Sequence, residues 1–169
     1  VTLKRKSEKD SQWCIIQTFG FNNTVEIPRS VKDAFDDDDL GLLPQGGVAM
    51  PLDTSVLKEA SAFCFLPLPC KTGLTMHVNG HFALDNESRR GLWKEDKKAY
   101  RTEWNNLLLC HVIAPIYAKA LEALQEKFGL GSSTKSGGRE SIDKIERFHS
   151  FFPNFQSASD HYWKNFVLA

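Results

Sequence analysis

The sequence predicts an α+β fold: a mixed sheet of about four to five strands in the N-terminal half, then a long kinked helix and two shorter helices in the C-terminal half. Three observations lead there. Short β-rich apolar runs alternate with turn residues up to about residue 84. From Asp85 onward the apolar period changes, with Trp104, Leu108, Val112, Ile116, Ala120 and Leu124 recurring every four residues. A glycine- and serine-rich break then separates that segment from two short helix-like stretches. Strands grouped ahead of helices favour helices layered on one sheet face over alternating strand–helix units.

Taken in order, "WCIIQTFGF" (Trp13 to Phe21) is apolar and β-rich, and Asn22-Asn23 turns the chain before "TVEI", giving a hairpin or a strand followed by a bend. Ser30 is placed to cap a short helix through Phe35. Asp36 to Asp39 and "GLLPQGG" form a loop, "VAMPL" a strand, and "DTSVLKEA" one or two helical turns. "SAFCFLPLP" (Ser61 to Pro69) reads as a third strand whose prolines confine its far end to an edge. "LTMHVNGHFAL" reads as a fourth strand region interrupted at Asn79-Gly80. Helical character is expected from Asp85, with a kink near His111 because Pro115 lacks a backbone donor. "ESIDKIERFHSFF" and "SASDHYWKNFVL" form the two shorter helices, the second capped by Ser157 or Ser159. The organisation expected is an α/β domain over 1–128, a flexible linker over 129–139, and a helical extension over 140–169 packed back on the domain.

At 169 residues the chain suffices for one domain with a real core. Its 21 basic and 21 acidic residues balance, so charge gives no argument for nucleic acid. No uninterrupted apolar run approaches the ~20 residues of a membrane span, and the first residues lack the apolar core of a signal peptide. No membrane partner and a cytoplasmic setting are expected. Cys14, Cys64, Cys70 and Cys110 lie in apolar segments without C-x-x-C spacing, which suits buried, reduced thiols.

Few motifs suggest chemistry. "GLGSSTKS" imitates a phosphate-cradling loop, but Thr134 stands where the second glycine is needed and the segment follows an amphipathic helix, not a strand. His77 and His81 straddle a strand and a turn, with no further ligand at metal-binding spacing. The Asp36 to Asp39 run lacks the alternating ligands of a calcium loop and reads as a solvated acidic loop. Phe148, Phe151, Phe152 and Phe155 read as packing residues ahead of a partner patch. No local arrangement suggests a catalytic triad. No cofactor and no metal site are expected.

The exception is "ALDNESRRGLW" (Ala83 to Trp93), which places Arg89 and Arg90 at the expected start of a helix, where a cation is disfavoured by about 0.3 to 1 kcal/mol. Either Asp85, Glu87 or Glu95 pairs with them, while Asp85 or Asn86 caps the helix, or the arginine fork and free backbone donors grip an anion from another domain.

"FCFLPLPCKTGLTMHVNGHFALDNESRRGLW" and "EWNNLLLCHVIAPIYAKAL" closely resemble the repeat region of the sacsin family, giant neuronal co-chaperones associated with a spastic ataxia. Each large repeat in that family opens with an ATP-binding module like the N-terminal domain of the ninety-kilodalton heat-shock chaperone. The present sequence holds no such glycine-rich segment, so the resemblance places it downstream of the nucleotide fold. The same window is similar to the L-N-x-S-R-E-x-L-Q motif of that chaperone's middle domain, whose arginine reaches the γ-phosphate of ATP. Asn86, Ser88, Arg89 and Leu92 fall at matching positions, whereas Arg90 replaces the acidic residue and Trp93 the glutamine. The resemblance thus implies a fold like a chaperone middle domain and assigns phosphate sensing to Arg89, with Asn86 and Ser88 beside it. It leaves no hydrolytic geometry of the chain's own. It further implies a non-catalytic scaffold and inter-domain module in protein quality control. The implied partners are a neighbouring nucleotide-binding module of the same polypeptide, the seventy-kilodalton heat-shock chaperone machinery, and client proteins. Two alternatives stand beside it: an accessory domain lending Arg89 to an adjacent ATPase site, and an interaction surface for clients or other repeats.

Overall fold

A computed structural model describes residues 2–5, 8–85, 91–94, 98–130 and 139–169. Six strands and five α-helices follow in the order β1 (Thr2–Arg5), β2 (Glu8–Phe19), α1 (Arg29–Asp36), β3 (Gln45–Pro51), β4 (Ser61–Cys64), β5 (Leu66–Lys71), β6 (His77–Gly80), α2 (Tyr100–Leu108), α3 (Ala114–Lys127), α4 (Arg139–His149) and α5 (His161–Leu168). Strands β2, β3, β6, β4 and β5 make a five-stranded mixed sheet, and β1 pairs along β2 beyond it, so the order across is β1-β2-β3-β6-β4-β5. All pairs are antiparallel except β4 with β6. The fold is α+β, with strands preceding helices.

Alternation along the strands divides the sheet into two unlike faces. Val48 and Met50 of β3, Ala62 of β4 and Val78 of β6 are buried on the inner face. Against them pack Leu108, Val112, Ile116 and Leu124 from the long helix, together with Phe151 and the α5 residues Tyr162, Trp163 and Phe166. The four-residue stripe thus faces the sheet. Trp104, one turn earlier, anchors a second cluster with Val31, Ala34, Leu40, Ala83 and Trp93 beneath α1. Gly46 lies where the helix touches the sheet: a Cβ there would come within 2.7 Å of the Ile113 side chain.

The kink expected near His111 takes the form of a π-helical turn, Leu109–Ile113, joining α2 to α3. Ala114 N–H bonds back to the Leu109 carbonyl, five residues earlier. Pro115 follows at the start of α3, where its missing donor is least costly. The joined helix Tyr100–Lys127, 28 residues, is long and apolar enough to cross a membrane, but half of its apolar window is already buried inside the fold.

Several local expectations are corrected. Helix α2 begins at Tyr100 and not at Asp85, because Leu84 and Leu92 form an antiparallel bridge and Trp93 N–H bonds the Ala83 carbonyl at 2.9 Å. The Asp85 carboxylate accepts from Gly91 N–H at 2.8 Å. "SAFCFLPLP" is two strands, β4 and β5, paired antiparallel. The reversal passes through Phe65 at φ +61°, a left-handed conformation in which a phenylalanine gives no turn signal. "TVEI" forms no strand, so β2 ends in a bend. Ser30 lies inside α1, whose N-cap is Pro28, and its hydroxyl bonds Glu103 of α2. Asp160, and neither Ser157 nor Ser159, caps α5 by accepting from the N–H groups of Tyr162 and Trp163.

Candidate functional site

The arginine window lies in sequence between Leu84 and Leu92, which form an antiparallel bridge. Arg89, Arg90, Asn86 and Ser88 lie outside the described residues; the flanking residues, the base of the window, do not. That base is held by buried polar contacts. Asn105 of α2, fully buried, accepts from Ala83 N–H at 2.8 Å and donates to the Ala83 carbonyl at 2.9 Å. In this way a side chain continues the backbone pairing that the strand cannot complete. Trp104 Nε1 donates to the His81 carbonyl at 2.9 Å, and the Tyr162 hydroxyl of α5 to the Trp93 carbonyl. Burial pushes the Tyr162 phenol up. Elements from three parts of the chain thus converge on residues 81–93, and Lys94 is joined to Asp160 at 2.8 Å.

A charged cluster adjoins this base. Asp39, last of the acidic run, accepts from Lys98 Nζ at 2.8 Å and from the Tyr100 hydroxyl, and its carbonyl receives the Arg101 guanidinium at 3.2 Å. Bonding from Lys98, then from Tyr100, holds the Asp39 carboxyl below the usual range. The Arg101 guanidinium stacks 5.2 Å from the centre of the Trp93 ring. Asp39 has a specific role, fastening the α1 loop to the start of α2, that its run of four identical residues conceals. Asn105 is equally hidden, because one polar residue within an apolar helix reads as an interruption.

On the outer face of the sheet lies an open groove of about 430 Å³, floored by Gly47 and Ala49 of β3 and walled by Ile15 and Gln17 on one side and Phe63, Phe65, His77 and Asn79 on the other. His77 is half-buried between Trp13, stacked at 5.7 Å, and the edge of Phe63 at 5.5 Å. Its Nδ1 accepts from Ser61 N–H at 3.1 Å, and His81 Nδ1 accepts from Leu43 N–H at 3.0 Å. An acceptor Nδ1 fixes the neutral tautomer that carries its proton on Nε2. Burial lowers both imidazoles from their ordinary value. The two rings are structural acceptors, each engaged with backbone.

Among the described residues no three His, Cys, Asp or Glu side chains gather as a metal-binding group. Cys14, Cys64, Cys70 and Cys110 are free and half-buried, not wholly buried as the sequence suggests, and burial raises all four thiols. Raised thiols are poor nucleophiles. Phe151 is buried, while Phe152 and Phe155 are substantially exposed, so the aromatic run divides between core and surface.

The chain is 39% identical to human sacsin over 148 residues, covering 83% of its length. The chain spans about 3% of sacsin's length. No family model and no solved structure matches it. Both resembling blocks fall on the parts described above, β4 to Trp93 and α2 to α3, and with 39% identity across 83% of its length the chain is a sacsin-related domain.

Proposed function

We propose that this domain is a non-catalytic scaffold and inter-domain module of a sacsin-like co-chaperone. It works in the cytoplasm, beside a nucleotide-binding module of the same polypeptide, in machinery that regulates the seventy-kilodalton heat-shock chaperone and its clients. The observation that carries the non-catalytic part is Trp93. It occupies the position where the related motif has a polar residue, yet it is buried, its ring lies under Arg101 and its carbonyl receives Tyr162. A side chain packed in this way stabilises the base of a loop and organises no water. Titration calorimetry of the chain with Mg-ATP tests the proposal. No saturable heat is expected, and saturable binding in the micromolar range overturns it.

A second reading is favoured by the way both ends of the Asn86 to Arg90 segment are secured. Asp85 N–H bonds the Gly91 carbonyl at 3.0 Å, and Asn105 locks the preceding strand. A short segment on a rigid base suits an arginine that must reach a phosphate on a neighbouring module. In protein that carries the upstream nucleotide module, Arg89→Ala is expected to weaken nucleotide-dependent contraction measured by small-angle scattering. Unchanged contraction removes Arg89 from this role and leaves the scaffold reading intact.

A further inference from the structure

Among the described residues no layer covers the outer face of the sheet. A parallel pair such as β4–β6 is ordinarily covered on both sides, yet the helices of this fold lie on one side only. Ile15 is 45% exposed and Phe19 66%, and Phe65 at the groove's end is 62% exposed. No charged side chain among the described residues lines the groove. Charge depletion around aromatic and aliphatic side chains is the composition of an interface centre.

The same chain also carries an apolar helix face without a layer against it. Ile142 of α4 is 58% exposed and Ile145 44%, and Phe152 continues the stripe just past the helix end. The helix is held to the domain through its last turn. Arg147 donates to the Leu52 carbonyl at 2.6 Å, one residue beyond β3, and its guanidinium lies 5.3 Å from the centre of the Phe128 ring. So anchored, α4 leaves Ile142 and Ile145 exposed.

We infer that two copies of this chain pair by reciprocal exchange, the apolar face of α4 from each lying in the outer sheet groove of the other. The dimensions agree. The groove runs along β3 between β2 and β6, two strand spacings or about 10 Å apart, and an α-helix with its side chains is about 10 to 12 Å across. The 11 residues of α4 extend about 16 Å at 1.5 Å each, within the roughly 23 Å of the seven-residue β3. Gly47 and Ala49 on the floor let the helix approach closely. Area decides between one contact and two. Ile15, Phe19, Phe65, Ile142, Ile145 and Phe152 each leave on the order of 100 Å² exposed, or roughly 600 Å² per copy, against about 800 Å² per partner in a stable interface. The surrounding polar rim supplies the remainder in a reciprocal pair, whereas a single helix in a single groove reaches only half.

Sedimentation velocity of the full chain between about 1 and 100 μM tests this, in the range where interfaces of ordinary size and modest affinity associate. A reversible dimer at twice 19.1 kDa is expected. Ile15→Glu in the groove and Ile142→Glu on the helix should each weaken it at least tenfold while leaving circular dichroism melts within a degree or two. Mixing the two variants should not restore the affinity of the parent, because only one of the heterodimer's two contacts is intact and it supplies half the area. If Ile15→Glu fails to fold, Gln17→Lys on the same wall replaces it. A chain that stays monomeric throughout overturns the inference. So does a dimer that survives Ile142→Glu, which would mean the sheets pack face to face.

Discussion

Asn105 offers the sharpest test of how the arginine window is supported. Replacing it by alanine removes two hydrogen bonds at 2.8 and 2.9 Å and leaves the Ala83 N–H without a partner in a fully buried site, while the Ala83 carbonyl keeps the bond from Trp93 N–H. An unsatisfied buried backbone group costs about 1 to 3 kcal/mol, so the loss is about 1 to 3 kcal/mol before any cavity term. For a domain of this size that lowers the melting temperature by about 2 to 4 °C per kcal/mol. Urea denaturation followed by tryptophan fluorescence measures the loss directly. Asn105→Asp adds a pH signature. Its carboxylate keeps the acceptor for Ala83 N–H but opposes the Ala83 carbonyl, and burial raises its folded pKa above the unfolded ~3.9. The folded state of that variant then binds more protons than the unfolded state, so its stability falls as pH rises through the shifted pKa and recovers on acidification. An Asn105→Ala loss below about 1 kcal/mol, or an Asn105→Asp variant that weakens on acidification like the parent, would show that water replaces the side chain and that the base is not locked as described.

Three further outcomes are expected. Leu108→Ala, Val112→Ala, Ile116→Ala and Leu124→Ala, all from almost fully buried positions, should each cost about 2 to 5 kcal/mol, and melts within two degrees of the parent would put the stripe on the surface. Gly73→Ala should prevent stable folding, since φ is +72° and a Cβ would lie 1.8 Å from the Ser157 carbonyl oxygen; a soluble variant with an unchanged urea midpoint refutes that packing. Because His77 and His81 have folded pKa values below the unfolded ~6.5, their contribution to stability is complete above that pH and is lost as pH falls through the folded values; urea midpoints that do not change between pH 7 and 5 would contradict the acceptor role.

What the sequence disclosed depended on whether the signal was periodic or singular. The long helix was legible because five turns of apolar side chains share one face, and the strand-then-helix order followed from composition alone. Phe65 was not legible: a left-handed phenylalanine reverses the chain without glycine, proline or asparagine to mark it, so two strands read as one. The start of α2 was misplaced because Leu92 and Trp93 continue an apolar pattern that serves a bridge to Leu84 and a buried cluster, and no helix. Ser157 and Ser159 fit a capping pattern as well as Asp160 does, and only the path of the chain past Thr72, whose carbonyl accepts from Ser159 N–H, removes them from it. At the candidate site, Trp93 as a packing residue was readable from its size. Asn105 and Asp39 were not, because what makes them matter is a backbone group and a lysine some twenty and sixty residues away.

The π-turn makes the helix's own arithmetic consistent. A step of four residues overshoots a 3.6-residue turn by about 40°, so from Leu108 to Leu124 an unbroken α-helix would let the stripe wander by about 160°, most of the way to the opposite side. The wider turn at Leu109–Ile113 takes up one residue, about 100° of that drift, and keeps both ends of the stripe on the sheet. A strict four-residue period sustained over several turns is therefore a written record of the bulge, readable before any coordinates. Deleting His111, which is exposed, would regularise the hydrogen bonding and at the same time swing Ile116 and Leu124 out of register with the sheet, so the more perfect helix would belong to the less stable protein.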